Sequence, residues 1–245
     1  AGNVAVGYQS GDALTTGGSN VLIGYDAGGN FDAEDYNVAI GRGTFNGAVN
    51  GASNCVAIGG TAMQGAATQV GTIAIGHNAL NAVTSGANNT MVGYHAGKFI
   101  TTGAGNTGLG YGTMDEVPVA ASYNTALGFS AMGGDSDSNT ASDYNTAVGA
   151  YALNGVMNEA DNNTAIGYQA GTAITTGDNN IAIGANALDA ETTGNENIAI
   201  GKNALGVAAN GELSNVVIGN EAGNAINDAG ADYNVIIGSG AGQGG

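Results

Sequence analysis

The stretch Asn-Thr-Ala-Ile-Gly-Tyr-Gln-Ala-Gly at residues 163–171 contains the pattern that decides the fold of this 245-residue chain. Its first five residues, which we call the repeat phrase, follow the form Asn-(Val/Ile/Thr)-Ala-(Ile/Val/Leu)-Gly. With small variations the phrase occurs fourteen times, and its final glycines are mostly 17 or 18 residues apart. A period this short leaves room for one turn of a β-solenoid. We therefore predict an all-β protein, a parallel β-solenoid (β-roll) of about fourteen turns of 17–21 residues, which forms one repeat domain over residues 1–245 and is a segment of a longer fibre.

Two residues of the repeat phrase are predicted to be structural. The final glycine fits a corner with positive φ or a crowded turn, where a Cβ atom would be unfavourable at every turn. The asparagine four residues earlier is present in twelve of the fourteen phrases. Amides stacked at the strand spacing of about 4.8 Å are predicted to form a ladder that satisfies the backbone groups of the corner. The predicted turn glycines are Gly24, Gly41, Gly59, Gly76, Gly93, Gly110, Gly128, Gly149, Gly167, Gly184, Gly201 and Gly219. The predicted asparagine ladder is Asn20, Asn37, Asn89, Asn106, Asn124, Asn145, Asn163, Asn180, Asn197 and Asn215.

The alternation within the phrase predicts which side chains fill the core. The branched residue before each glycine, such as Ile40, and the Val, Ile or Thr two residues earlier lie on one face, which we predict to be the inner one. The alanine between them, such as Ala39, then faces outwards. Because this outer face is also apolar, we expect it to pack against sister subunits, and a flat exposed alanine face is the alternative. Five successive phrases carry threonine in the first strand position, and we expect this column to face inwards as an isosteric replacement, with a polar stripe or anion site as the alternative. These residues are Thr90, Thr107, Thr125, Thr146 and Thr164.

One large core residue per turn is predicted to come from either of two places. Eight repeats have a large apolar residue four positions after the phrase glycine. Most of the others have glycine there and an apolar residue three positions later, as at Phe31. Close packing explains this exchange, because one core volume must be filled in every turn.

The charge of the chain restricts its partners. Three basic residues against twenty acidic ones give a net charge of −17, which repels nucleic acid and anionic membrane surfaces. No apolar run approaches the roughly 18 residues that a membrane span requires, so no membrane insertion is predicted. An acidic, regular surface with few sites for trypsin-like proteases indicates an extracellular location, on a virion or a cell surface.

No residues suited to catalysis or to a cofactor occur at catalytic spacing, so we predict no enzyme activity and no cofactor. His77 and His95 are expected to be solvated loop residues, and the single cysteine, Cys55, a small buried substitute for asparagine. The spacing of Asp135, Asp137 and Asn139 is like that of a calcium loop, but it lacks the glycine and distal glutamate of the full motif, so a solvated acidic loop is the leading interpretation. Tyrosines flank the repeat phrases, and we expect them to pack over neighbouring turns or subunits, with sugar binding as the alternative.

The phrases at residues 163–171, 180–184 and 197–201 resemble the repeats in the head domains of trimeric autotransporter adhesins and are similar to repeats in bacteriophage tail fibres. The resemblance covers essentially the whole chain. It implies a homotrimer of parallel left-handed β-rolls that serves as a rigid, exposed shaft or adhesive head. The turns here are longer than those of the autotransporter pattern, which favours the phage fibre.

We therefore expect a non-enzymatic structural or adhesive segment, a phage tail fibre shaft or a receptor-binding region that contacts a host cell-surface receptor or glycan. The alternatives are a bacterial adhesin head, or a filament subunit that stacks end to end. Two further classes are an ice-binding solenoid, which needs regular exposed threonines, and a hydrolase of host glycans, which needs paired carboxylates in a cleft.

Overall fold

The structure is a computed structural model that describes residues 2–47, 51–65, 68–117, 120–134, 141–190, 192–207, 211–224 and 231–243. The chain divides into two compact units, Ala1–Tyr123 and Asn124–Gly245. The prediction of one repeat domain over residues 1–245 stays a prediction.

Each unit is a parallel β-solenoid in which every repeat phrase supplies one strand of three residues. The strands of the first unit are β1 (Val4–Val6), β2 (Val21–Ile23), β3 (Val38–Ile40), β4 (Val56–Ile58), β5 (Ile73–Ile75), β6 (Thr90–Val92) and β7 (Thr107–Leu109). Those of the second unit are β8 (Thr125–Leu127), β9 (Thr146–Val148), β10 (Thr164–Ile166), β11 (Ile181–Ile183), β12 (Ile198–Ile200), β13 (Val216–Ile218) and β14 (Val235–Ile237). Within each unit the strands pair in chain order and in register, so that, for example, Ala39 lies beside Ala57. The predicted fold class is confirmed.

The two faces of the strands are the reverse of those predicted. The middle residue of the strand points into the coil, and alanines such as Ala39 and Ala57 are fully buried there. The first and third residues point outwards, and every described one keeps partial or larger exposure. Alternation within the phrase was predicted correctly, but the inner face was assigned to the wrong residues. Volume contributes to this arrangement, because most turns that enclose a large loop side chain have alanine on the strand, and the larger Leu22 and Met91 lie against glycines, Gly28 and Gly108.

The large core residue comes from two places, as predicted. Phe45 and Leu80, four residues after the phrase glycine, are fully buried, and so are Phe31 and Ile100 from the other position, whereas Leu14 is only partly buried. The backbone explains how both loop types coexist. The position four after the glycine is left-handed in both, with φ of 52° at Phe45 and 56° at Gly28.

Side chains also exchange volume between adjacent turns of the core. Strand β7 has glycine, Gly108, at the middle position, and the side chain of Met91 from β6 occupies the space above it. A Cβ atom at Gly108 would overlap the Met91 sulfur. Core packing is therefore shared between neighbouring turns, which is expected of an interior as dense as that of other proteins.

Candidate functional site

The phrase asparagines form a continuous hydrogen-bonded column inside each unit. Asn180 is fully buried, and its Oδ1 accepts the backbone N–H of Asn197 at 2.9 Å. Its Nδ2 donates to the carbonyl of Gly194 at 2.8 Å, in the loop of the following turn. The same two bonds join Asn163 to Asn180 and to Gly177, at 2.9 and 2.7 Å. Each side chain therefore uses one acceptor and one donor to tie its own turn to the next, a combination that an amide provides and a carboxylate does not.

The column is altered in the first unit where two turns lack asparagine. The backbone N–H of Cys55 donates to Asn37 Oδ1 at 3.0 Å, and the Cys55 sulfur lies 3.5 Å from the carbonyl of Gln69. Burial raises the pKa of the Cys55 thiol above its usual value, so the neutral form is favoured. The buried polar atoms of the Gln69 and Thr72 side chains have no hydrogen-bond partner among the described residues. These two turns are thus held together by fewer side-chain bonds than the others.

The phrase glycines stack directly on one another. At Gly59, φ is +129°, and a Cβ atom would lie 2.5 Å from the carbonyl oxygen of Gly76 in the next turn. Real Cβ atoms do not approach a backbone atom this closely. The glycine column thus allows successive corners to stack at strand spacing.

The outward face of the strands is a continuous apolar surface in each unit. It consists of the first and third strand residues, and we call it the outer sheet face. Ile23 and Ile166 keep 37% and 40% of their surface exposed, although they lie within paired strands. A parallel sheet with Val and Ile on its outer face is normally covered by other protein.

The five threonines lie on the outer sheet face, so the prediction that they face inwards is wrong. In the first unit Thr90 pairs with Thr107, and in the second Thr146 lies between Thr125 and Thr164. All five keep partial or larger exposure. They form a less apolar stretch of an otherwise aliphatic face.

Aromatic rings stack along the first unit at the position directly after the phrase glycine. Tyr8 and Tyr25 lie 5.5 Å apart at 19°, and Tyr94 and Tyr111 lie 5.2 Å apart at 5°. All four side chains are exposed, Tyr8 at 68% and Tyr25 at 52%. The expectation that tyrosines pack over neighbouring turns holds for these pairs, and each ring still keeps a large exposed fraction.

A pocket of about 150 Å³ opens beside Tyr25 on the surface of the first unit. It is lined by Tyr25, Asp26, Arg42, Gly43, Thr61 and Gln64. The pocket exists because Gly43 occupies a position, two after the phrase glycine, at which most turns carry a side chain. The nearest atom to a Cβ built on Gly43 would be Gln64 Nε2 at 3.6 Å. The sequence analysis did not predict this site. The signal in the sequence was Gly43 at this position, directly after Arg42, one of the three basic residues.

Hydrogen bonds hold the polar walls of this pocket in place. Asp26 Oδ2 accepts from Asn46 Nδ2 at 2.6 Å, and Gln64 Oε1 accepts from Asn81 Nδ2 at 3.3 Å. The Thr61 hydroxyl donates to the carbonyl of Gly60 at 2.6 Å. Arg42 is exposed, and among the described residues the only ion pair is the one between His95 and Asp115.

The two histidines lie close together in neighbouring turns. Their ring centroids are 6.2 Å apart, and the His95 ring stacks on Tyr94 at 4.0 Å. His95 Nδ1 lies 3.4 Å from Asp115 Oδ2. Burial raises the pKa of the Asp115 carboxyl, although the nearby His95 and Lys98 oppose the shift. His95 is therefore held by neighbours, not simply solvated.

The calcium candidate of Asp135, Asp137 and Asn139 lies outside the described residues. Within the described part of the chain, no group of three or more His, Cys, Asp or Glu side chains is placed to hold a metal ion. No helix among those residues is long and apolar enough to cross a membrane.

Comparisons with known proteins identify no relative of this chain. A scan against family models, a search of curated proteins and a search of solved structures each find no match for this chain.

Proposed function

We propose that this chain is a non-enzymatic segment of an extracellular homotrimeric fibre, the shaft or receptor-contacting region of a bacteriophage tail fibre. The observation that carries this proposal is the outer sheet face, which presents Val, Ile, Leu or Thr side chains from every strand. An apolar surface of this extent on a parallel sheet is typical of a protein interface. Other copies of the same chain are the simplest partners for the outer sheet face, because each copy presents the same repeated apolar surface.

The number of copies and the location come from other features. Three copies are what the resemblance of the repeat phrases to fibre and adhesin repeats implies. The turns of 17–21 residues are longer than those of the autotransporter adhesin repeats, which favours the phage fibre over an adhesin head. A net charge of −17 supports an exposed, soluble fibre and opposes binding to nucleic acid.

Absolute mass in solution tests the proposal. We expect light scattering after size exclusion to give three times the 23.6 kDa mass of the chain. Placing charge on the outer sheet face with Ile40→Glu and Ile75→Glu together should abolish the trimer, because carboxylates would be buried without partners. Circular dichroism on the same samples reports whether the released chain remains folded.

The matched control is Tyr36→Glu with Tyr123→Glu, which makes the same change in charge at residues outside the strands. Tyr36 and Tyr123 are 64% and 58% exposed, and Glu196 already occupies the equivalent position in another turn. The control should remain trimeric. A monomeric wild-type chain, or a double-Ile variant that keeps the wild-type mass, would contradict the proposal.

One observation favours a second candidate, an ice-binding face. The outward threonines recur at strand spacing, in two turns of the first unit and three of the second. An ice-binding face must stay uncovered, so it excludes the trimer interface proposed above. A thermal hysteresis assay separates the two, because the fibre should leave freezing unchanged, whereas depressed freezing by a monomer would support ice binding.

A further inference from the structure

The pocket beside Tyr25 combines an exposed aromatic ring with hydrogen-bond donors and acceptors. Asp26 offers acceptor oxygens, whereas Arg42 and the Nε2 of Gln64 offer donors. A sugar ring is complementary to these groups, because its C–H bonds can stack on an aromatic ring and the hydroxyl groups at its edge can donate and accept hydrogen bonds. We propose that this pocket binds one pyranose unit of an uncharged glycan, stacked on Tyr25. The proposal rests on the surface-contact role proposed above and names the class of ligand.

Electrostatics favours an uncharged sugar over an acidic one. If Arg42 were the only charged group in the pocket, its guanidinium would favour a ligand with a carboxylate or sulfate group. Here the Asp26 carboxylate lines the same small pocket, and the whole chain carries a charge of −17, which repels polyanions. Neighbouring hydroxyl groups on a neutral ring can donate to Asp26 and accept from Arg42 at the same time.

The pocket is largely formed in advance of binding. Asn46 fixes the Asp26 carboxylate at 2.6 Å, and Asn81 fixes Gln64 through its Oε1 at 3.3 Å, which leaves the Nε2 side of that amide toward Gly43. Groups held in place before binding lose little conformational entropy when a ligand arrives.

The stacked ring of Tyr8 supports the ring of Tyr25 from the preceding turn. It lies 5.5 Å from Tyr25 and nearly parallel to it. The sugar therefore stacks on the opposite face of Tyr25, on the side of Arg42 and Gly43 in the next turn.

Saturation-transfer NMR on the full chain tests the site. The probes are methyl glycosides of glucose, galactose, mannose and N-acetylglucosamine, with glucuronic acid for comparison. We expect signals from the C–H protons of at least one neutral glycoside. Tyr25→Ala should weaken its binding about tenfold by removing the stacking surface. Gly43→Asn should weaken it as much by filling the pocket, since asparagine accepts the φ of +59° found there.

The control is Tyr233→Ala, which removes an exposed tyrosine from the second unit and should bind like the wild type. Absence of any neutral glycoside signal, binding by glucuronic acid alone, or unchanged binding in Tyr25→Ala and Gly43→Asn overturns the proposal. If one variant fails to fold by circular dichroism, the other decides.

The mass of the same wild-type sample separates this proposal from the fibre. A trimer without glycoside binding overturns only the sugar site. A monomer that binds the glycoside overturns only the trimer.

Discussion

Gly59→Ala should lower the melting temperature of the protein by about 10 °C, since strain and overlap at this corner together cost about 3–5 kcal/mol. At φ +129° an alanine is strained whatever space surrounds it. Its Cβ would also lie 2.5 Å from the carbonyl oxygen and 2.6 Å from the carbonyl carbon of Gly76. Both atoms are backbone and cannot rotate away. The stack must open at this corner, which weakens the bond from the Gly76 N–H to the Ile58 carbonyl, now 2.7 Å. Thermal unfolding followed by circular dichroism measures the effect.

Gly43→Asn is the matched control for this prediction. It also adds a side chain to a glycine of positive φ in the same unit, but its φ of +59° is one that asparagine tolerates. Asn78 occupies the equivalent position of another turn at φ 57°. We expect the melting temperature to change by no more than about 2 °C. If both variants lowered the melting temperature equally, positive φ alone would explain the loss of stability, and the close approach of the next turn would not contribute.

The fold could be predicted from the sequence because the repeat supplies the same information many times. One phrase such as Asn163–Gly167 is compatible with several structures. Fourteen phrases at nearly constant spacing require one strand per turn, since only stacked turns bury the same face of each phrase. The exchange of the large core residue between two loop positions was predictable for the same reason, as Phe45 and Phe31 must fill equivalent volumes.

The direction of the strand faces could not be predicted from hydrophobicity. Ile40 is more apolar than Ala39, so transfer free energy alone places isoleucine inside. The structure has the opposite arrangement, in which Ala39 and Phe45 are both fully buried and Ile40 keeps partial exposure. How the loop side chains share the inner volume with the strand depends on contacts between neighbouring turns, such as that of Met91 with Gly108, which a single phrase does not reveal. The pocket beside Tyr25 was missed for a related reason, since it depends on side chains from three adjacent turns.

Asn180→Asp should destabilise the protein by about 3–5 kcal/mol at neutral pH, the cost typical of an uncompensated buried charge. The substitution keeps the shape of the side chain and the oxygen that accepts the Asn197 N–H at 2.9 Å. It replaces the amide donor with a second oxygen, which would face the carbonyl of Gly194 and Oδ1 of Asn163. Both acceptor atoms lose the hydrogen bond from the Asn180 amide, although Asn163 Oδ1 keeps the backbone N–H of Asn180, and a charge is buried at a fully enclosed position.

The pH dependence identifies the cause of the loss. Burial favours the neutral form of the new carboxyl, so its pKa in the folded state lies above its unfolded value. The protonated form also restores one donor. The stability lost by Asn180→Asp is therefore partly recovered at acidic pH and lost again as pH rises through the folded pKa. Urea unfolding of wild type and variant at several pH values measures this difference.

The neighbouring substitution Asn179→Asp provides the control with an identical change in composition and net charge. Asn179 is exposed, and its hydrogen bond to the Asp161 carbonyl, at 3.0 Å, is made by its backbone N–H. We expect its effect to stay within about 0.5 kcal/mol at every pH. If Asn180→Asp were equally harmless, the asparagine column would not be what joins the turns, and the backbone ladder with the glycine stack would have to hold each unit together alone. If only Asn180→Asp is costly, asparagine recurs in twelve of fourteen phrases because one side chain there supplies both a buried donor and a buried acceptor to the next turn.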